Sequence, residues 1–149
     1  MTFLNHVAPR RTFAGIAFVL VGALATIGCG GNPQASATGV PVTLRDFAVD
    51  MAATLPAGSN SLAITNSGAA VHELEIAQLP AGADPASIQV ANNVADLAGA
   101  GVTIIDEAED IAPSTHTSLT VDLPAGTYVF LCNVPTHYGL GMHTVVTVE

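Results

Sequence analysis

The chain has 149 residues, with only three lysine or arginine side chains against twelve aspartates and glutamates. This length accommodates one domain of ordinary size and excludes a multidomain architecture. Because the formal net charge at pH 7 is −9, phosphate would be repelled, and we expect no nucleic-acid partner.

The first 28 residues have the pattern of a signal peptide. Arg10 and Arg11 precede the apolar run 13–28, which is short for a membrane-spanning helix. The arginine pair also resembles a twin-arginine export signal, although any signal peptide begins with positive charge. We therefore expect an exported protein of the cell envelope, in the periplasm or on the outer face of the cytoplasmic membrane.

The residues after this run allow two kinds of processing. Cys29, in the segment TIGCGG, resembles the lipidated cysteine of a bacterial lipoprotein signal, whereas cleavage after Ala37 would fit the small residues of ASA. Lipidation would anchor the protein to the membrane. Residues 29–39 are small and polar and predict a flexible tether, so the folded domain should span 40–149.

The acidity of the mature chain bears on its partners. If the chain begins at Cys29, one arginine, Arg45, stands against twelve carboxylates, which gives a formal charge of −11. Such a field would attract a basic redox partner, or would simply keep an exported protein soluble. We expect a monomer.

From residue 40 onward the pattern is that of β-strands. Apolar and polar residues alternate in VPVTLRDFAVDM, with a break near Asp46, and in NSLAITN, VHELEIA, HTSLTVD, TYVFLC and HTVVTVE. Turns rich in glycine, proline or asparagine separate these runs. The pattern predicts an all-β fold, an antiparallel sandwich or barrel.

One interval departs from this pattern. Residues 84–99, DPASIQVANNVADLAG, begin with Asp-Pro and space their apolar residues near the helical period. We therefore predict a short helical insertion between two strands. The acidic run DEAED, residues 106–110, should follow it on a solvated loop or strand edge.

The stretch CNVPTHYGLGM, Cys132 to Met142, brings three metal-binding side chains together. Thiolate and thioether are soft ligands, and two imidazoles with a thiolate and a distant methionine make an electron-transfer copper site. The stretch supplies one imidazole, from His137, and lacks the second. With Cys29 lipidated or removed, Cys132 has no disulfide partner, and an exported thiol risks oxidation unless it is buried or bound to metal.

Three further histidines could complete the set. His72 begins a strand after an Asn-Ser-Gly turn, where its side chain could reach the same end of the sandwich as Cys132. His143 would point away from Met142 in an extended strand, and we expect His116 to be a surface strand residue. His72 is the favoured candidate.

FLCNVPTHYGLGM resembles the C-terminal ligand loop of the cupredoxins, the blue (type 1) copper proteins, and NSGAAVHELEI resembles the segment with their first histidine. Four residues separate Cys132 from His137 and four separate His137 from Met142, closest to the long-loop members, rusticyanin and sulfocyanin. The resemblance implies a cupredoxin-like Greek-key β-sandwich and one type 1 copper ion. It assigns His72, Cys132 and His137 as in-plane ligands and Met142 as the axial ligand.

We therefore expect an exported protein that carries single electrons between redox partners by Cu(II)/Cu(I) cycling. The expected electron-exit patch comprises His137, Tyr138, Leu140 and Val134. The same ligands would serve a copper carrier or scavenger that delivers copper to an acceptor protein, and a metal-free adhesion module is a third hypothesis. Few histidines remain for a second, catalytic copper site, so we do not expect an enzyme.

Two residues depart from the family pattern. Thr136 occupies a position where the long-loop relatives usually have glycine. Glu73 occupies one where several members have an asparagine that bridges to the cysteine loop. If Glu73 points at the site, its charge would favour Cu(II), and if it points to solvent it would have little effect.

Overall fold

The computed structural model describes residues 38–149. The predicted signal peptide 1–28, Cys29 and residues 30–37 of the predicted tether lie outside the described residues. Within 38–149, none of the helices has the length and apolar character needed to span a membrane.

The described chain forms two β-sheets and a separate two-stranded hairpin. The first sheet has the strand order β2 (Ala48–Asp50), β1 (Val40–Arg45), β4 (Gly58–Asn66), β9 (His116–Leu123). The second has the order β3 (Thr54–Leu55), β11 (His143–Val148), β10 (Gly126–Leu131), β5 (His72–Gln78), β8 (Thr103–Ile111). The hairpin pairs β6 (Val90–Ala91) with β7 (Val94–Ala95).

The chain passes repeatedly from one sheet to the other, between β4 and β5, between β8 and β9, and between β9 and β10. Most pairs are antiparallel, and β1 with β4 and β3 with β11 are parallel. The all-β, cupredoxin-like sandwich expected from the sequence is thereby confirmed.

Alternating burial builds the core between the sheets. In β4, Leu62 and Ile64 are fully buried while the intervening residues face outward. They join a cluster with Leu74 and Ile76 of β5 and Phe130 of β10. Each such side chain contributes about 2 kcal/mol by leaving water, so the sandwich is a rigid platform for the loops at its ends.

The prediction of a helix over residues 84–99 is wrong beyond its first turn. Asp84 caps a three-residue 3₁₀ turn, Pro85–Ser87, and the chain then forms the β6–β7 hairpin. The hairpin turns at Asn92 and Asn93, which have φ values of 53° and 68°. A pair of asparagines tolerates the left-handed conformation that tight two-residue hairpins require, and this ends the helical pattern.

The apolar residues of the insertion are nevertheless buried. Ile88, Ala95 and Leu97 form a second cluster with Leu131 of β10 and with Tyr138. The insertion therefore packs against the strand that precedes Cys132 and the loop that follows it. This burial explains the apolar spacing that resembled a helix face.

Strand β8 ends the five-stranded sheet. It contains the acidic run DEAED, in agreement with the expected strand edge, and its four carboxylates are Asp106, Glu107, Glu109 and Asp110.

Candidate metal centre

The candidate site lies at one end of the sandwich, where β5 begins and β10 ends. Because these strands are antiparallel neighbours, with Leu131 opposite Glu75, the start of one and the end of the other share that end. His72 is the first residue of β5, and Cys132 directly follows β10. The loop between β10 and β11 then returns His137 and Met142 to the same place.

Three side chains converge in this space. The Nδ1 atoms of His72 and His137 are 3.2 Å apart, and the Cys132 Sγ lies 3.4 Å from the His137 Nδ1 and 3.9 Å from the His72 Nδ1. All three ligand atoms lie within 4.8 Å of one another, and they form the one such group among residues 38–149. A thiolate with two imidazoles is a donor set that suits copper.

Met142 closes the loop beside these residues. Its side chain is fully buried in the main core cluster, which also contains Cys132. The Met142 carbonyl accepts a hydrogen bond from the Cys132 N–H (3.0 Å), and the Met142 N–H donates to the His137 carbonyl (3.1 Å). The methionine is thus held at the site by the backbone of two candidate ligands.

Cys132 is buried and is a free cysteine. Burial raises the pKa of its thiol, while backbone N–H groups of Glu73 and Val134 partly offset that rise. The Glu73 N–H lies 3.5 Å from the sulfur. A thiolate in such a buried place needs a cation to stabilise it, which the metal in a Cys-His-His site supplies.

His72 is fully buried and is fixed from its far side. Its Nε2 lies 3.1 Å from the Asp46 Oδ1. Burial lowers the pKa of His72, and the Asp46 carboxylate partly counters the shift. The imidazole is therefore neutral near pH 7, as a metal ligand must be.

A short turn delivers His72 to this position. Asn66, fully buried at the end of β4, donates from Nδ2 to the carbonyls of Ala70 (2.9 Å) and Ile111 (2.8 Å). Its Oδ1 accepts from the Gly68 N–H (2.9 Å). These bonds fix the turn 67–71 between the two sheets.

His137 stands closer to the surface, with 9 % of its area exposed. The ring of Phe47 meets it edge-on, with ring centroids 5.5 Å apart. Phe47, Val71 and Leu140 are large apolar residues with exposures of 43 %, 46 % and 57 %. We call these three residues the apolar rim.

The predicted electron-exit patch needs one correction. Tyr138 is only 7 % exposed, because it packs into the second core cluster and stacks on His143 at 4.5 Å between ring centroids. It therefore contributes little exposed surface to the patch. Leu140 is exposed as predicted, and Val134 is half-buried against the core.

The side chain of Glu73 points to the cysteine loop. Its Oε1 accepts a hydrogen bond from the Asn133 N–H (2.8 Å), which fastens β5 to the residue after Cys132. Burial raises the pKa of Glu73, with further upward contributions from Glu109 and Glu107 and a downward one from the Asn133 bond. Glu73 thus makes a bridge to the cysteine loop like the one that asparagine makes in several cupredoxins.

The insertion also holds the ligand loop. The Asn93 carbonyl accepts from the Thr136 N–H (2.6 Å), and the Asn133 Oδ1 accepts from the Ala95 N–H (2.6 Å). Thr136 has a φ of 79°, the left-handed conformation that glycine adopts most easily. The long-loop relatives usually have glycine at this position, and a position that favours glycine indicates this left-handed conformation.

Sequence reasoning missed the supporting residues Asp46, Phe47, Asn66 and Asn93. The break in alternation near Asp46 was a signal for the first two. Within residues 38–149, neither of the other two histidines joins the ligand group. His143 stacks on Tyr138, and His116 is exposed at the start of β9.

The comparisons with known proteins agree with this geometry. The family model described as "Copper binding proteins, plastocyanin/azurin family" matches residues 49–149. Among curated protein sequences, none matches the chain significantly.

Solved structures of copper proteins share the fold. Reduced auracyanin from the photosynthetic bacterium Roseiflexus castenholzii is 25 % identical, with a TM-score of 0.54, over 76 % of this chain and 98 % of that one. Auracyanin B is 20 % identical with a TM-score of 0.50, over 75 % and 95 % of the two chains. Rusticyanin from Thiobacillus ferrooxidans is 19 % identical with a TM-score of 0.50, over 73 % and 76 %. With the family model covering most of the folded domain, the chain belongs to the plastocyanin/azurin family of copper-binding proteins, the cupredoxins.

Proposed function

We propose that this cupredoxin carries single electrons, and that His72, Cys132, His137 and Met142 would together hold one copper ion. The observation that carries the proposal is the convergence of the ligand atoms of His72, Cys132 and His137 within 4.8 Å. Bound copper supplies a one-electron couple between Cu(II) and Cu(I).

The protein around these ligands suits electron transfer better than chemistry on a bound substrate. His72, Cys132 and Met142 are fully buried, so three of the four proposed ligands are inaccessible to water. Four protein ligands leave no open coordination position, whereas catalytic metal sites keep one. The residues therefore hold the donor atoms in a fixed geometry while only an electron passes.

His137 offers the route to the surface. It is the most exposed of the four proposed ligands, and two residues of the apolar rim contact it: Phe47 through its ring and Leu140 through its backbone N–H. A small apolar contact of this kind fits a transient redox encounter. The twelve carboxylates of the chain support a partner of basic charge.

The first experiment is a visible absorption spectrum of residues 38–149 with Cu(II), before and after ascorbate. We expect an intense thiolate-to-copper band that bleaches on reduction and is absent from Cys132→Ser. A colourless wild-type protein without tight copper binding would contradict the proposal and leave a metal-free interaction module.

A second experiment addresses the exit route. Leu140→Asp places a charge in the apolar rim and should slow electron exchange at least several-fold while leaving the copper band unchanged. Ile104→Asp is the matched control, because Ile104 is 52 % exposed on β8, opposite Ala77. Equal rates for both variants would argue against this route.

Copper delivery remains the alternative use of the same ligands. The burial of three ligands supports tight retention and therefore favours electron transfer. Incubation of the copper-loaded protein with a copper-free acceptor protein separates the two, because a carrier loses its metal to the acceptor within minutes and an electron carrier keeps it.

We further propose that the protein is exported and held at the membrane by a lipid on Cys29. The support is the apolar run 13–28 followed by Cys29. Mass spectrometry of the mature N-terminus tests this proposal. An acylated cysteine, lost together with membrane association in Cys29→Ser, is the expected result, and an N-terminus at residue 38 would refute it.

A further inference from the structure

The turn between β1 and β2 reaches both histidines of the site. Asp46 contacts the Nε2 of His72 at 3.1 Å, and the next residue, Phe47, meets the ring of His137. Phe47 has a φ of 66°. A non-glycine residue seldom adopts this left-handed conformation, so the contacts of the surrounding turn must stabilise it.

The carboxylate of Asp46 is fixed without the help of His72. Its oxygens accept hydrogen bonds from the Ala69 N–H at 3.0 and 3.1 Å and from the Ala70 N–H at 3.2 Å. These backbone donors, followed by His72, lower the pKa of Asp46. The side chain is 41 % exposed, and it is ionised near neutral pH.

Gly68 leaves room for this contact. A Cβ atom at position 68 would lie 2.5 Å from the Asp46 Oδ1 and 2.7 Å from the His72 Nε2. Both distances are too short for a side chain, so the pair of polar atoms is packed against the glycine backbone. The contact therefore belongs to the folded architecture of the turn 67–71.

The chemistry follows from the two nitrogens of His72. With its Nε2–H donated to Asp46, the ring presents the Nδ1 lone pair toward Cys132 and His137. A carboxylate on the outer nitrogen fixes the tautomer and makes the inner nitrogen a stronger donor. A stronger donor and a nearby negative charge both favour the more highly charged metal ion.

We propose that Asp46 is a positioning residue of the copper site, which selects the Nε2–H tautomer of His72 and stabilises Cu(II) relative to Cu(I). The inference rests on the proposed function of His72 as a copper ligand. It adds a residue of the β1–β2 turn, 26 positions before His72, to the groups that set the reduction potential.

Two variants separate the charge from the hydrogen bond. Asp46→Asn keeps an oxygen acceptor and removes the charge, and we expect the ratio of the Cu(II) to the Cu(I) dissociation constant to rise about tenfold. For a one-electron couple that change equals about 59 mV of higher midpoint potential. Asp46→Ala removes both, and should weaken Cu(II) binding by about 10- to 100-fold.

A measurement on the copper-free protein checks the positioning directly. Nitrogen-15 NMR of the His72 ring should show the Nε2–H tautomer in the wild type and in Asp46→Asn, and loss of that preference in Asp46→Ala. Asp50→Asn is the control. Asp50 lies on the neighbouring strand, where it pairs with Arg45, and its substitution removes the same charge without touching His72. Circular dichroism confirms that each variant is folded.

The outcomes distinguish this inference from the proposed function. Wild-type copper binding with identical potentials for Asp46→Asn and Asp50→Asn, and an unchanged tautomer in Asp46→Ala, would overturn the role of Asp46 alone. Absence of the copper band from the wild type would contradict the proposed function instead. In that case the NMR comparison of the copper-free variants still tests whether Asp46 selects the Nε2–H tautomer of His72.

Discussion

His72 and His137 face each other with 3.2 Å between their Nδ1 atoms, yet the chain around each is built differently. His72 begins a central strand, is fully buried and has a carboxylate behind it. His137 lies in a loop, is 9 % exposed and has the ring of Phe47 against it in an edge-on contact. Under the proposed function, this contrast gives the two histidines different roles: His72 would set the chemistry of the metal and His137 would pass the electron.

The supports of the two histidines also come from different parts of the chain. The turn before His72 is fixed to the sandwich by Asn66. The loop before His137 is fixed to the insertion, through the bond from Thr136 to Asn93. Substitutions in each support should therefore affect the two halves of the site separately.

The largest expected effect comes from removing each imidazole. His72→Gly and His137→Gly should both abolish the copper band, because each removes one of the three ligand atoms that converge at the site. Added imidazole should restore the band in His137→Gly, whose ligand position borders the solvent, and fail in His72→Gly, whose position is closed. Titration of imidazole followed by absorption measures this, and equal recovery would refute the contrast.

Next in size is the loss of the Asn66 side chain. Asn66→Ala leaves the carbonyls of Ala70 and Ile111 without their side-chain donor and should lower the free energy of unfolding by about 3 kcal/mol. It should also weaken copper binding by displacing His72. Asn60→Ala is the control, because Asn60 is also buried and lies toward the opposite end of β4. Urea unfolding and copper titration of both variants decide whether the copper effect is local.

A smaller effect concerns the strand of His72 and depends on pH. Burial, aided by Glu73 and Glu107, raises the pKa of Glu75 from 4.5 to about 6. Because the pKa of Glu75 is higher in the folded state than in the unfolded state, protonated Glu75 stabilises the folded protein below pH 4.5. This stabilisation is lost as the pH rises through about 6. The loss should be about 1 to 2 kcal/mol in the copper-free protein.

Glu75→Gln tests this pH dependence. Its free energy of unfolding should vary less between pH 4.5 and 7 than that of the wild type, and Asp122→Asn, on the exposed face of β9, should behave like the wild type. Unfolding curves at several pH values measure it. Parallel profiles for the wild type and Glu75→Gln would show that Glu75 has an ordinary pKa.

The smallest effect concerns the loop of His137. Thr136→Gly relieves a φ of 79° and should stabilise the protein by up to about 1 kcal/mol. Thr147→Gly, in the regular strand β11, should instead destabilise it. Thermal unfolding compares the two, and destabilisation by both would mean that the left-handed conformation at Thr136 carries no measurable strain.

Local patterns made the fold and the ligand residues predictable. Strand alternation reports which face is buried, and the spacing from Cys132 to Met142 is short enough to read directly. The prediction of a helix over 84–99 was wrong because the chain reverses direction at Asn92 and Asn93, within that interval. Apolar spacing alone could not reveal this, since Ile88 and Leu97 are buried in either arrangement.

The supports of the site were out of reach for a different reason. Asp46 contacts His72, which lies 26 positions later in the chain, and Asn66 donates a hydrogen bond to Ile111, which lies 45 positions later. Such pairs exist only once the sheets have packed. The break in alternation near Asp46 marked a turn, but no local pattern encodes which residue that turn contacts. The exposure of Tyr138 was misjudged for the same reason, since the insertion that covers it lies some 40 residues earlier.

The carboxylates of β8 have a consequence for how copies of this protein meet one another. A strand at the end of a sheet presents backbone groups on which a second chain could add a strand. Here that edge carries Asp106, Glu107, Glu109 and Asp110, and two such edges repel each other. Part of the acidity of the chain thus acts as protection against aggregation, at the place where an open sheet is most exposed to it.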